Sequence, residues 1–330
     1  MKVRDLIRIA FTEWDCWQIA IRPRESVPLY QGNGAGFALV PNSFRYWRAD
    51  PFLWKYQDDN YLFVEMYDRL KRKGVIGVSK ITDGMCGKFH ICLTLPFHLS
   101  YPCVFTCGEK TYMLPECYQS EEIALYRCTR FPSHWEKDSI ISDCVAADTT
   151  PLCMGVPKTW KQFSFFTTVF PSVSRRINDN MSIISAMGEK PRKAVYSTVS
   201  RPAGHFIVVD GRVIRPAQDD TKRYGSSLFF YQVDCCDPSH YSEHTLLRVL
   251  PPEHDAAENE ICISLRNNQK NTTFSGIHTY NSNDDYEVID LLINEKKSAG
   301  AFFWRIAGMF YRWTERKNGK TKNQYHYSCL

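Results

Sequence analysis

The clearest copy of an internal repeat is His98-Leu-Ser-Tyr-Pro-Cys-Val-Phe-Thr-Cys-Gly-Glu-Lys-Thr-Tyr-Met-Leu-Pro-Glu116. It predicts a strand, a tight turn at Gly108 and a second strand that ends in a carboxylate. Residues 50–65 repeat the pattern: in both copies a tyrosine follows the proline by 10 positions and a glutamate by 14. The repeat is marked by prolines spaced 51, 49 and 51 residues apart, at Pro51, Pro102, Pro151 and Pro202. A period of about 50 residues built from short strands predicts a β-propeller.

The repeat predicts an all-β chain in which residues 1–293 form one five-bladed β-propeller. The blades are expected near residues 47–95, 96–145, 146–196, 197–250 and 274–293. Strand-like sequence before the first blade is expected to supply an outer strand or to close the ring.

The tail, residues 294–330, differs in composition from the rest of the chain. It carries eight Lys and Arg against two Glu, a net charge of +6. Its apolar residues recur at helical spacing, which predicts a C-terminal amphipathic helix. The helix either packs on the propeller or lies on an anionic membrane, where it would make contact through Phe302, Ile306, Phe310 and Trp313.

Charge and cysteine content narrow the class of protein. The whole chain carries +5, so the body without the tail is near −1 and has no basic surplus for binding nucleic acid. The chain has 13 cysteines, an odd number, and no Cys-x-x-Cys pair. This cysteine pattern favours a protein of the reducing cytoplasm, either free or peripherally bound at the inner membrane. No run of about 18 apolar residues predicts a membrane-spanning helix.

Carboxylates at the blade openings are the first candidates for chemistry. The innermost strands of a propeller line its axis, so Asp50 and Asp148 are expected to face one cavity. Two carboxyl groups across a cavity are what glycoside chemistry requires. Glu116, turned inward after Pro115, or His98 would donate the proton. The alternative is that an aspartate before a proline is only a turn residue.

A second polar group lies in the fourth repeat. Arg201 and Arg215 each precede a Pro-Ala dipeptide, and paired guanidinium groups suit a carboxylate or phosphate. An ion-pair network that holds the blade is an equal alternative. The substrate-binding residues predicted from this group and from the other openings are Tyr101, Arg201, Arg215, Asp219, Tyr224 and His278. No spacing of histidines or cysteines predicts a metal site.

Several motifs together resemble a known family. They are Ala49-Asp-Pro-Phe, Leu62-Phe-Val-Glu65, His98-Leu-Ser-Tyr-Pro, Met113-Leu-Pro-Glu116, Asp148-Thr-Thr, Arg201-Pro-Ala-Gly, Arg215-Pro-Ala-Gln-Asp219, Tyr224-Gly225 and Gly276-Ile-His278. This set, between about Trp14 and Asp290, resembles the N-terminal propeller domain of plant glucosamine inositolphosphorylceramide transferases. Bacterial proteins of surface-polysaccharide loci share that domain.

The pattern is more distantly similar to the five-bladed furanosidase superfamily, which includes family-43 glycoside hydrolases. That resemblance implies a base at Asp50 and a carboxylate at Asp148 that tunes pKa and positions substrate. It also implies an acidic Glu at the opening of the fourth blade, where this chain has Arg201-Pro-Ala. A plain inverting hydrolysis is therefore not implied. His278 falls where some members place a histidine near an axial ion.

These observations predict a carbohydrate-active enzyme, glycosidase-like or glycosyl-transferring, in surface-polysaccharide or glycolipid biosynthesis. Its substrate would be a glycan or sugar phosphate, and no cofactor is expected. One alternative is a non-catalytic glycan-binding or scaffold propeller that works beside a separate glycosyltransferase. Another is phosphorolysis through the arginine pair.

Overall fold

The computed structural model describes residues 14–153, 158–171, 181–195, 199–237, 240–266 and 272–295, and in the tail residues 303–304, 306–308, 310–311 and 314. The described strands form five sheets, each the blade of one propeller, which confirms the predicted fold class. The blades pack against one another on both faces. Their strands are therefore apolar without strict alternation, as in the fully buried run Leu62-Phe-Val64.

The first two strands of the chain precede the first blade. They are β1 (Trp14–Pro23) and β2 (Ala38–Leu39), with the 3-10 turn Leu29–Gln31 between them. The first blade contains β3 (Tyr46–Tyr56), β4 (Asp59–Asp68), β5 (Lys73–Thr82), β6 (Met85–Cys86) and β7 (His90–Leu93). The second contains β8 (Ser100–Cys107), β9 (Lys110–Glu116), β10 (Ile123–Arg130) and β11 (His134–Ser142), with the 3-10 turn Tyr118–Ser120.

The remaining blades are also antiparallel, except for one pair of strands in the fourth. The third contains β12 (Ala146–Cys153), β13 (Phe163–Val169), β14 (Met181–Ile184) and β15 (Arg192–Val195), with the 3-10 turn Trp160–Gln162. The fourth contains β16 (Arg201–Pro202), β17 (Ile207–Val209), β18 (Arg212–Asp219), β19 (Ser227–Cys236), β20 (Tyr241–Leu250) and β21 (Glu260–Cys262). Here β21 pairs parallel to β20. The fifth contains β22 (Phe274–Ser282) and β23 (Tyr286–Glu295).

The fifth blade closes the ring. β1 lies between β2 and β23, in the sheet order β2-β1-β23-β22. β1 and β23 are antiparallel over their full lengths, from Trp14 opposite Glu295 to Pro23 opposite Tyr286. Strands from the two ends of the described propeller therefore share one blade.

A β-bulge interrupts the inner strand of each of the first three blades. The register shifts across Asp50-Pro51, Tyr101-Pro102 and Asp148-Thr149. The first residue of each pair has a left-handed backbone, with φ of 49°, 46° and 53°. The alignment predicted through Pro151 is therefore wrong by two residues. Thr149 is the structural counterpart of Pro51 and Pro102, because the position that repeats from blade to blade is the bulge and not the proline. Bulges that redirect a side chain are common beside active sites.

The described tail residues between 303 and 314 are helical. Phe303 and Trp304 contact Phe44, with ring centroids 6.1 and 5.0 Å from that of Phe44. Of the predicted membrane-facing residues, Ile306 is half-buried and Phe310 is 65% exposed. The other two, Phe302 and Trp313, lie outside the described residues. In the part of the chain that the structure describes, no helix is both long and apolar enough to cross a membrane.

Candidate active site

The bulge of the first blade presents Asp50 to the fifth blade at the propeller axis. Its Oδ1 accepts a hydrogen bond of 3.0 Å from the Thr279 hydroxyl, and its Oδ2 accepts one of 3.0 Å from the Tyr101 N–H. His278 Nε2 lies 3.5 Å from Asp50 Oδ1. Asp50, on the inner strand of the first blade, is thus held by residues of two other blades, the second and the fifth.

Asp290 on β23 holds Asp50, His278 and Thr279 together through hydrogen bonds. Its Oδ2 accepts the Asp50 N–H at 2.8 Å, and its Oδ1 accepts His278 Nδ1 at 2.7 Å and the Thr279 N–H at 2.9 Å. The sequence analysis missed this residue. The available signal was a charged residue inside the apolar run Val288-Ile-Asp-Leu-Leu-Ile293, because buried charges in strands are rare unless they are paired.

A second cluster joins the second, third and fourth blades. Arg201 Nε donates to Asp148 Oδ2, and Arg201 Nη2 lies 3.5 Å from Glu116 Oε2. Gln218 Nε2 also donates to Asp148 Oδ2, at 3.0 Å. Two buried carboxyl groups therefore share one arginine.

Burial and neighbouring charges shift the pKa values of three of these groups. Burial raises the pKa of Asp50 to about 7, against the opposing charge of His278. Burial and the charge of Asp148 raise the pKa of Glu116 well above its usual range. Burial alone would lower the pKa of His278, but Asp290 and Asp50 outweigh it and raise that pKa to about 9. At neutral pH His278 holds a proton and Asp50 is poised to exchange one, while Glu116 keeps its proton to a higher pH than an exposed glutamate does.

Tyr224 and Trp17 surround His278. The Tyr224 ring lies under the Arg201 guanidinium, 5.1 Å from its central carbon, and meets the His278 ring edge-on at 5.2 Å. Trp17 stacks on His278 with ring centroids 3.7 Å apart. A Cβ on Gly225 would lie 2.7 Å from the Cβ of His278, so the backbone here approaches too closely for any other residue.

Three of the predicted residues lie apart from these clusters. Arg215 is buried in blade four, where it donates from Nε and Nη2 to Glu243 and from Nη1 to the Ser200 carbonyl. Asp219 accepts from the Ser227 hydroxyl and from Arg248. The predicted pairing of Arg201 with Arg215 on one anion does not form, and the alternative of an ion pair that holds the blade describes Arg215.

His98, the third, bridges the first two blades. Its Nδ1 accepts the Gly74 N–H at 2.9 Å, and its Nε2 lies 3.2 Å from Glu65 Oε1. Tyr101 is at the axis, but its side chain is fully buried and its hydroxyl bonds Thr150 and the Gly204 N–H, both at 2.7 Å. Its side chain therefore joins the blades to one another.

The ligand atoms of Asp50, His278 and Asp290 lie within 4.8 Å of one another. Two carboxylate oxygens and one imidazole nitrogen could hold a cation. However, the oxygens of Asp50 and Asp290 already accept hydrogen bonds from N–H and O–H groups, as described above. The protein's own donors thus account for this cluster without a metal ion.

The stability of the protein is expected to fall as the pH rises from about 6.5 to about 9. The pKa of His278 is 6.5 when unfolded and about 9 when folded, so its stabilising effect is complete below pH 6.5 and is lost as the pH passes 9. The difference amounts to about 3 kcal/mol. Asp50 acts in the same direction at lower pH, between about 3.8 and 7.

Urea unfolding across this range, in wild type and in His278→Gln, measures the effect. The variant should lose most of the slope between pH 6.5 and 9. An identical slope in both proteins would contradict the assignment of the proton to His278.

Known proteins resemble this chain in sequence. Residues 38–259 match the family described as "Glucosamine inositolphosphorylceramide transferase 1, N-terminal". Proteins named glucosamine inositolphosphorylceramide transferase 1 from Oryza sativa subsp. indica and Arabidopsis thaliana are 30% identical over 203 residues and 28% identical over 216 residues. The matches cover 59% and 62% of this chain but 27% of each relative. The chain thus spans about a quarter of the length of the curated relatives that it matches.

Solved structures with a similar fold include glycoside hydrolases. The catalytic domain of a GH62 alpha-L-arabinofuranosidase from Coprinopsis cinerea has a TM-score of 0.48 at 11% identity and covers 75% of this chain and 90% of its own. A GH43_1 enzyme from Xanthomonas citri has a TM-score of 0.48 at 10% identity, covering 77% and 89%. These similarities concern the fold alone. The family match, by contrast, spans most of the propeller and confirms the resemblance that the motifs indicated. The chain belongs to the family of the N-terminal domain of glucosamine inositolphosphorylceramide transferase 1.

Proposed function

We propose that the chain is a carbohydrate-active enzyme, glycosidase-like or glycosyl-transferring, that serves surface-polysaccharide or glycolipid biosynthesis. The observation that carries this proposal is a pair of buried carboxyl groups, Asp50 and Glu116, whose pKa values are both raised by burial. A raised pKa brings a carboxyl group closer to neutral pH, where a general acid or base must exchange its proton. Membership of a family named for a glycolipid transferase supports a sugar substrate.

In the proposed reaction, Asp50 is the general base that takes a proton from the attacking hydroxyl group. Glu116 is the proton donor to the leaving oxygen, and Asp148 keeps Glu116 protonated and orients Arg201. We favour Glu116 over His98 because both ring nitrogens of His98 face groups of the first blade. Acid and base groups so placed typically contribute factors of about 10² to 10⁴ each.

Arg201 is proposed to bind an anionic part of the substrate, such as a sugar phosphate. It stands at the fourth-blade opening, where a hydrolase of the distant superfamily would have its acid. A phosphate leaving group needs less protonation than a sugar hydroxyl, so a cation there suits transfer from an activated donor.

We also propose that the protein works in the cytoplasm and touches the inner membrane through its tail, by Phe302, Ile306, Phe310 and Trp313. The tail's charge of +6 and the exposure of Phe310 support this contact.

The second candidate function is glycan binding without catalysis. It is favoured by the fact that the match covers only 27% of relatives named as transferases, so a transferase activity there can reside in the remaining sequence. In that case the axial cluster would orient a sugar and Arg201 would recognise its charge.

A panel of mixtures tests both functions. The full chain is incubated with nucleoside-diphosphate sugars and glycan or glycolipid acceptors, and separately with oligosaccharides in water, and products are identified by mass spectrometry. We expect a product in at least one mixture. Retention on a glycan array with no product in any mixture would support the binding function and overturn the catalytic one.

A further inference from the structure

A cavity at the rim of the first blade contains a buried arginine that has no carboxylate partner among the described residues. The cavity has a volume of about 520 Å³ and lies between the segment 40–46 and the outer strands β6 and β7. None of the axial residues described above lines it. Arg48 on β3 lines it and is only 7% exposed.

In the part of the chain that the structure describes, no negatively charged group lies beside Arg48. Its Nη1 donates to the Pro41 carbonyl at 2.7 Å, its central carbon lies 4.2 Å above the Phe89 ring, and its Nε has no hydrogen-bond partner among the described residues. Burial raises the pKa of the neighbouring Cys86 thiol to about 11, so this thiol is neutral at pH 7. No acidic residue is among the described residues that line the cavity.

An unpaired buried cation is costly, by several kcal/mol in general. Two other buried arginines avoid this cost, because Arg22 and Arg215 each contact a carboxylate, as does the partly buried Arg201. Lys88 and His90 add two more nitrogen donors to the lining of the same cavity. The missing charge beside Arg48 is thus one that a bound anion would supply.

The rim of the cavity is apolar as well as basic. Ile91 lines it, and Phe44 and Met85 adjoin lining residues; they are 46%, 65% and 69% exposed. Phe44 also touches the helical part of the basic tail, through Trp304. A ligand that joins an anion to a hydrocarbon chain would match both features, whereas scattered exposed apolar residues alone would need no explanation.

We propose that this cavity is a binding site for a phosphate ester. The phosphate group lies against Arg48 and Lys88, and an attached hydrocarbon chain lies along Phe44, Met85 and Ile91. Guanidinium groups bind phosphate through two parallel hydrogen bonds, which Arg48 can offer from Nε and its neighbouring amine. This site is independent of the chemistry proposed at the axis.

The test measures binding of two probes to the full chain by isothermal titration calorimetry at constant ionic strength. The probes are inorganic phosphate and dihexanoyl phosphatidic acid below its micelle concentration. We expect the lipid to bind, and Arg48→Met to weaken its affinity by at least about tenfold. The matched control, Arg212→Met, removes an exposed arginine of blade four and should leave affinity unchanged.

The two probes separate the sources of the ligand. Binding of the lipid alone identifies a headgroup with its chains, and equal binding of both probes identifies a soluble phosphate; either result supports the site. No binding of either probe, or wild-type affinity in Arg48→Met, overturns it. If Arg48→Met does not fold, Lys88→Gln at the exposed rim should weaken binding about threefold, and wild-type affinity there would equally overturn the site.

Discussion

Asp50→Asn is expected to lower turnover by roughly 10²- to 10⁴-fold on the substrate that the product screen identifies. An amide cannot accept the proton that the proposed base must take. The fold should survive, because the amide oxygen can still accept the Tyr101 N–H and the amide nitrogen can donate to the Thr279 hydroxyl. Steady-state kinetics, with thermal unfolding as the check on folding, measure the effect.

The pH dependence of kcat/KM, compared between wild type and Asp50→Asn, gives a second test of the same prediction. Because the pKa of Asp50 is about 7, kcat/KM should rise with pH up to about 7, as the base becomes ionised. It should fall again as Glu116 loses its proton, at a pH well above the usual range of a glutamate, since burial and Asp148 raise the pKa of Glu116. The rising limb should be absent in Asp50→Asn.

Asp68→Asn is the matched control for this experiment. Asp68 is as buried as Asp50, but it pairs with Arg45 at the end of β4, outside both axial clusters. Its activity should stay near that of wild type. Turnover by Asp50→Asn within threefold of the control would remove Asp50 from the proposed mechanism.

Glu287→Ala is expected to cost about 3–5 kcal/mol of unfolding free energy, the largest stability effect that we predict. Its side chain and that of Arg22 are fully buried, and their closest atoms are 2.6 Å apart. Oε1 of Glu287 also accepts the Leu29 N–H at 3.0 Å and the Tyr280 hydroxyl at 2.6 Å. Removal of the carboxylate leaves an uncompensated buried cation between β1 and β23.

Urea unfolding of two further proteins makes this result specific. Asp59→Ala breaks the exposed pair between Asp59 and Lys80 and should cost less than about 1 kcal/mol. The double variant Arg22→Met/Glu287→Met should recover much of the loss, because apolar side chains need no counterion. A loss below 1 kcal/mol in Glu287→Ala would refute the role of this ion pair in closing the ring.

The period of the sequence predicted the fold and two of the central carboxylates. Asp50 and Asp148 recur with the blade, and a repeated backbone position converges on the axis whatever its side chain. The repeat alone did not distinguish the position of Arg201 in the blade from that of Arg215. Both precede Pro-Ala, but Arg201 is opposite Gln218 in the sheet, three positions along β18 from Arg215, so the two arginines lie at different distances from the axis.

The partners of the central residues could not be predicted in the same way. The Asp290 carboxylate accepts the Asp50 N–H from 240 positions away in the chain. The Thr279 hydroxyl donates to the Asp50 carboxylate from 229 positions away. Such contacts depend on how the fifth blade meets the first, and neither residue carries the repeat. The raised pKa values of Asp50 and Glu116 were likewise hidden, since they arise from burial and from neighbouring charges that the sequence does not show.

The pairing of β1 with β23 also constrains the order of events during synthesis. A nascent chain holds β1 without its partner until some 270 further residues have been added, from Trp17 to its partner Leu292. At typical elongation rates this interval is on the order of 10 s or more. Asp290 arrives in the same strand, so neither the closed ring nor the bonded form of Asp50 exists on a partly translated chain. Synthesis of β23 would therefore complete the ring and the proposed site together, and a partly translated chain would lack the proposed activity.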